Sequence, residues 1–189
     1  MQQIEELSIH EANYNLFPNH SKQKTMKYRI GNLDTILKNK EFEVFIHGCN
    51  TYGVMGAGVA GLVKTHFPDC YSKYKQELTE DERWQGGDII ATPISGEDNR
   101  IILNALTQEK PGPNGSYDFI DSCFDKVARL YNFKEIIFPL IGCGIAGLNW
   151  NIVQVIIDER LKGLNYQCIV RPQDVINYKL PVNLGSWKA

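Results

Sequence analysis

The stretch Phe138-Pro139-Leu140-Ile141-Gly142-Cys143-Gly144-Ile145-Ala146-Gly147-Leu148-Asn149-Trp150 decides how the chain is read. Apolar residues from Glu135 to Ile141 form a buried-strand run. Glycines follow at 142, 144 and 147, and a helical pattern begins near Asn149 and runs to Leu161, with Ile152, Val155, Ile156 and Leu161 on one side. Glycine allows positive φ and close approach of the backbone to a ligand. Successive backbone N–H groups in such a loop converge on an anion, helped by a helix N-terminus.

The same grammar occurs once more. Gly56-Ala57-Gly58-Val59-Ala60-Gly61 follows the strand-like run Glu43–Cys49 and leads into a helix from Ala57 to about His66. One GxGxxG match reads most simply as a tight turn. Two in similar positions, each near the carboxyl end of a strand, point to a shared ligand. A dinucleotide fold fits poorly. Its fingerprint directly follows the first strand, with an acidic ribose ligand about 20 residues on. Here Asn50–Met55 intervene, and Asp81 lies in the polar run TEDERW.

Around these loops, strand-like and helix-like segments alternate. Lys27–Ile30 predicts a first strand, and Pro68 ends or restarts the helix before it, so that a second helix runs from Asp69 to about Leu78. Asp88–Thr92 and Arg100–Leu106, split by the turn SGEDN, predict adjacent strands. Tyr117–Tyr131 has helical spacing of apolar residues, and Tyr166–Val170 predicts a last strand. Such alternation predicts a sheet covered by helices on both faces. Residues 1–25 are polar and aperiodic and read as an extension or arm, leaving 26–189 as one domain.

The totals are those of an ordinary globular chain: 189 residues, 43% hydrophobic, 22% charged, net charge −2. That charge gives no reason to expect a nucleic-acid partner. No apolar run is long enough to span a bilayer, and the start MQQIEELSIHE lacks the features of a signal peptide. Cys49, Cys70, Cys123, Cys143 and Cys168 are widely spaced, with no CxxC, and predict free thiols in a reducing cytoplasm, without a metal site. No pattern encodes an oligomer, so a monomer is the default expectation, and no cofactor is called for.

His47-Gly48-Cys49-Asn50 followed by Met55-Gly56-Ala57-Gly58-Val59-Ala60 resembles the first ligand loop of macro domains. The stretch from Phe138 to Trp150 resembles their second. Gly87-Asp88-Ile89-Ile90 and Asn104-Ala105-Leu106-Thr107-Gln108 resemble their central strands, and Tyr117-Asp118-Phe119-Ile120 the helix that follows. The resemblance covers roughly Met26 to Val170. It implies a three-layer α/β/α fold with a mixed central sheet of about six strands, and a small-molecule ligand, ADP-ribose or ADP-ribose 1''-phosphate, above that sheet.

Carried over by position, the resemblance implies that Asn32 and Leu33 receive adenine, with Asn32 where most relatives have aspartate. It implies that Asn50 reaches the distal ribose, against the plainer reading in which its amide fixes the loop. Gly53, Val54, Met55, Gly56, Ala57, Gly58, Val59 and Ala60 would line that ribose and one phosphate. Gly142, Cys143, Gly144, Ile145, Ala146 and Gly147 would cover the other side. The HxCN pattern and Gly31-Asn32 resemble the ADP-ribose 1''-phosphate phosphatase branch, a class of phosphoric monoester hydrolase, which makes His47 the expected catalytic residue. A neutral imidazole can shuttle a proton near pH 7; the plainer reading is a core histidine bonded to a carbonyl. His66 is expected to be structural. Two alternatives stay open. One is a non-catalytic binder of ADP-ribose or an NAD-derived nucleotide. The other is an ADP-ribosyl hydrolase, for which Gln108, Ala146 and Ala60 stand where relatives carry lysine or aspartate, with Lys110 close by.

Overall fold

A computed structural model describes residues 26–96 and 99–182. The expected arm at 1–25 lies outside the described residues, as does the end of the chain from 183. Six strands form one sheet: β1 (Tyr28–Ile30), β2 (Val44–Asn50), β3 (Ile89–Pro93), β4 (Ile101–Gln108), β5 (Ile136–Phe138) and β6 (Tyr166–Val170). Their spatial order is β1-β6-β5-β2-β4-β3. Every neighbouring pair is parallel except β3 with β4, the adjacent strands expected on either side of SGEDN, which pair antiparallel. The sheet is therefore mixed, and the carboxyl ends of β1, β6, β5, β2 and β4 all open on one edge.

Helices cover both faces. On one side lie α4 (Tyr117–Leu130) and α5 (Trp150–Arg160). Ile120, Cys123, Phe124 and Val127 of α4 recur at helical spacing and are fully buried, meeting Val44, Ile46 and Leu103 of the sheet together with Val153 and Ile157 of α5. Each such side chain contributes roughly 1.5–3 kcal/mol through apolar burial. Trp150, at the start of α5, is also fully buried, and its indole N–H donates to the Tyr28 hydroxyl at 3.1 Å, tying α5 to β1.

On the other face lie α1 (Leu33–Lys38), α2 (Gly58–His66) and α3 (Pro68–Glu80). Val63, Phe67 and Cys70 pack there against Phe45, Ile102 and Ile137, while Tyr74 meets Cys49, Ile90 and Leu106. A last short helix, α6 (Pro172–Asn177), follows β6.

Two details depart from the sequence expectation. The strand expected over Glu135–Ile141 stops at Phe138. Pro139 has no N–H for the ladder, and the chain turns at once, with Ile141 N–H donating to the Pro139 carbonyl at 2.7 Å. The helices α1 and α6, six residues each, were not expected, because two turns or fewer carry no readable period. Pro68 does restart the helix: α2 ends at His66 and α3 begins at the proline. No helix among the described residues is long and apolar enough to cross a membrane.

Candidate ligand crevice

Both glycine loops lie on the sheet edge where the parallel strands end, because β2 and β5 are neighbours. The first loop leaves β2 at Asn50 and is shaped by that residue. The Asn50 amide nitrogen donates to the Val54 carbonyl at 2.8 Å, and its Oδ1 accepts from the backbone N–H groups of Tyr52 and Val54 at 3.1 and 3.2 Å. Asn50 is buried, as are Gly53 and Met55, whereas Val54, Gly56, Ala57 and Gly58 are exposed. Gly53 and Gly58 take positive φ, 72° and 59°. Val59 and Ala60, half-buried, form the first turn of α2. No side chain caps this helix, since its N-cap is Ala57. The first N–H groups of a helix lack partners within it, so this end suits an anion.

The second loop is held by its own backbone. Leu148 N–H donates to Gly142 O at 2.9 Å, and Gly147 N–H to Gly144 O at 3.1 Å. Gly142 and Gly147 take positive φ, 75° and 78°. The Ala146 carbonyl accepts from Gly115 N–H at 2.9 Å, anchoring the loop to the chain before α4. Cys143 is half-buried, its thiol bonded to the Ile141 carbonyl at 3.3 Å, and burial pushes that thiol up to about 12. It is therefore a neutral thiol at pH 7. Gly144 and Ile145 are exposed. A Cβ placed on Gly58 would lie 3.9 Å from Ile145 Cδ1, so the loops meet across the crevice. The second loop differs from the first in one way: α5 starts three residues after Gly147, capped by Asn149.

At the far end of the same edge, Asn32 caps α1. Its Oδ1 accepts from Asp34 N–H at 2.9 Å and from Thr35 N–H at 3.5 Å. Leu33 is half-buried behind it. His66, read as structural, closes α2 against α1 by pairing with Asp34 at 2.8 Å.

His47 does not line the crevice. It is fully buried on the face of β2 that carries Phe45 and Cys49. Its Nε2 lies 2.9 Å from Asn104 Oδ1 on β4, while Asn104 Nδ2 donates to the Ile90 carbonyl at 3.1 Å. The Ile90 bond fixes which end of the Asn104 amide faces the ring. His47 therefore carries its proton on Nε2, and Nδ1 faces the Cys49 thiol at 3.6 Å. Burial pushes the imidazole down to about 4, against the opposing pull of Asn104. The expectation that His47 touches substrate thus finds no support in its surroundings, which are those of a core histidine bonded to a buried amide. The sequence alone does not name Asn104 as its partner, although a polar residue inside the apolar run Ile101–Leu106 signals a buried hydrogen bond.

Gln108 and Lys110, weighed for a hydrolase, lie at the end of β4. Gln108 is buried, and its amide donates to the Lys110 carbonyl at 2.7 Å, while Lys110 is exposed. Ala146 and Ala60 supply no polar side chain.

The macro domain family matches residues 46–157, more than half of the chain. The chain belongs to the macro domain family. A 17.5 kDa protein from the tk-vs intergenic region of Enterobacteria phage T4 is 33% identical over 70% of this chain and 88% of its own length. A DNA ADP-ribosyl glycohydrolase of Thermus aquaticus is 29% identical over 65% of this chain, which spans only 35% of that relative's length. The macrodomain of Thermus aquaticus DarG superposes with a TM-score of 0.64 at 28% identity, covering 78% of this chain and 99% of that chain. An ADP-ribose 1''-phosphate phosphatase of Candida albicans is 25% identical over 61% of this chain and 80% of its own.

Proposed function

We propose that this macro domain binds ADP-ribose or ADP-ribose 1''-phosphate in the crevice, the diphosphate lying between the two glycine loops. The observation that carries the reading is the uncapped first turn of α2 facing the Gly142–Gly147 loop at near contact with Ile145. Backbone amides and a helix N-terminus in such an arrangement favour a diphosphate. Asn32 and Leu33 at one end and the Asn50 loop at the other fit a ligand with a base and a distal ribose.

Phosphate release from ADP-ribose 1''-phosphate is the reaction we propose. Its support is the HxCN pattern and the similarity to the Candida protein. In that reaction His47 acts as a positioning residue, keeping β2 and β4 in register beneath the loop through Asn104. The similarity to the Thermus glycohydrolase favours a second reading, removal of ADP-ribose from DNA.

Calorimetry with ADP-ribose tests the crevice, and saturable binding is expected. No heat with ligand at millimolar concentration overturns the reading. Phosphate release from ADP-ribose 1''-phosphate, set beside release of ADP-ribose from a modified oligonucleotide, then separates the two reactions. Binding without either product leaves a non-catalytic binder.

A further inference from the structure

The helix α3 separates its charges by face. Asp69, Glu77 and Glu80 line one groove together with Lys73 and Asp81. Cys70 and Tyr74 face the sheet. Tyr71 and Lys75, four residues apart, share a third face. That face meets α2 and the first glycine loop. The Lys64 ammonium of α2 stands 4.3 Å from the centre of the Tyr71 ring, over its face. A Cβ placed on Gly53 would lie 3.6 Å from Lys75 Cγ, so the Lys75 stem runs beside the loop.

This third face carries positive charge without acid. Lys64 and Lys75 are exposed, and neither has a carboxylate partner among the described residues. From Thr51 to His66 the chain has no acidic residue. Tyr52, next to Gly53, is 60% exposed and leaves a large ring to solvent. On its other side the Thr51 N–H donates to the Glu109 carbonyl at 3.1 Å, and the exposed Lys110 follows that acid. The net charge of −2 averages over faces of opposite sign.

We propose that this lip, formed by Tyr52, Lys64, Tyr71 and Lys75, binds single-stranded nucleic acid. The two ammonium groups take backbone phosphates, and Tyr52 stacks on a base. Unpaired cations with an exposed ring among them hold a single strand without regard to its sequence. The face that carries Asp69, Glu77 and Glu80 repels the same strand. A duplex keeps its bases stacked on one another and offers none to Tyr52. The lip stands apart from the reaction in the crevice, since none of its four side chains is assigned there.

Fluorescence anisotropy of a labelled thymidine oligonucleotide, titrated with the full chain at several salt concentrations, tests the proposal, with a uridine oligonucleotide as the RNA arm. Saturable binding of at least one strand is expected, and preference between them names its source. Log affinity is expected to fall with log salt at a slope of about −1.4, as two single-strand phosphate contacts require. Lys64→Gln and Lys75→Gln are each expected to reduce that slope by about 0.7. Tyr52→Ala is expected to weaken binding about fivefold or more. Unchanged melting temperatures show that these variants fold. Lys73→Gln, on the acidic groove, is expected to leave binding as it was. Absence of binding at low salt overturns the proposal, as does a loss in Lys73→Gln equal to that in Lys75→Gln. Equal affinity for inorganic polyphosphate overturns it too, because that chain has no base for Tyr52.

Discussion

The Tyr74 hydroxyl on α3 donates to the backbone carbonyl of Asn50, the last residue of β2. Tyr74 is fully buried, and burial pushes its phenol far above the ordinary tyrosine range, so the hydroxyl keeps its proton at any working pH. The helix under the sheet thus fixes the point where the first loop begins. Tyr74→Phe removes this donor from the Asn50 carbonyl. A loss of about 1–3 kcal/mol in unfolding free energy is expected by urea titration. ADP-ribose affinity is expected to fall with it, since the loop loses its anchor while its own sequence is unchanged.

Asn50 holds the loop from the other side with three hydrogen bonds to Tyr52 and Val54. Asn50→Asp keeps the acceptor for both N–H groups but places a carboxylate oxygen against the Val54 carbonyl. Asn50→Ala removes all three. Calorimetry is expected to find ADP-ribose binding weakened about tenfold or more in both variants, with the alanine protein less stable by roughly 1–3 kcal/mol. Binding retained by Asn50→Ala would mean that the loop shape is set elsewhere.

Much of this arrangement was legible in the letters. Strand and helix periods placed most elements, because buried runs such as Val44–Ile46 and the α4 stripe Ile120–Val127 repeat at the spacing of their own structure. The two GxGxxG runs marked the crevice, because positive φ at Gly58, Gly142 and Gly147 needs glycine. Strand order was not legible: nothing local tells that β5 lies beside β2, since that pairing joins residues about ninety positions apart. The destination of a side chain was not legible either. His47 and Asn50 sit three residues apart on one strand, yet one is sealed in the core and the other shapes a loop. Alternation along the strand cannot distinguish a histidine facing a pocket from one facing a buried asparagine.

The acid response of the fold follows from His47. Burial pushes its imidazole down to about 4 in the folded chain, against an ordinary value of 6.5. The unfolded chain therefore takes up this proton first as pH falls. The stabilising contribution is fully present above 6.5, declines between 6.5 and 4, and is gone below 4, where the folded ring is protonated too. The shift corresponds to roughly 3 kcal/mol at most. Urea titrations at pH 7.5 and 4.5 are expected to show this decline. His47→Gln keeps a donor for Asn104 but does not titrate, so the same pair of titrations is expected to differ less. An equal difference would assign the acid sensitivity to other groups.

Gly142 and Gly144 separate the two demands that the second loop makes on glycine. At Gly142 the backbone has φ of 75°, and a Cβ would lie 2.9 Å from Leu148 Cδ1. Gly142→Ala is therefore strained and crowded, and a loss of about 1–3 kcal/mol in stability is expected. At Gly144 a Cβ would meet nothing within 4 Å, and the residue is not among those with positive φ. Gly144→Ala has no folding reason to be harmful. Its melting temperature is expected to match that of the unaltered protein. If the loop backbone closes on a diphosphate, the added methyl group stands where the ligand must approach, and ADP-ribose affinity is expected to drop about tenfold or more. A Gly144→Ala protein that folds normally and binds normally would remove the diphosphate from this side of the crevice. A protein that folds normally and fails to bind would place it there without disturbing any other contact.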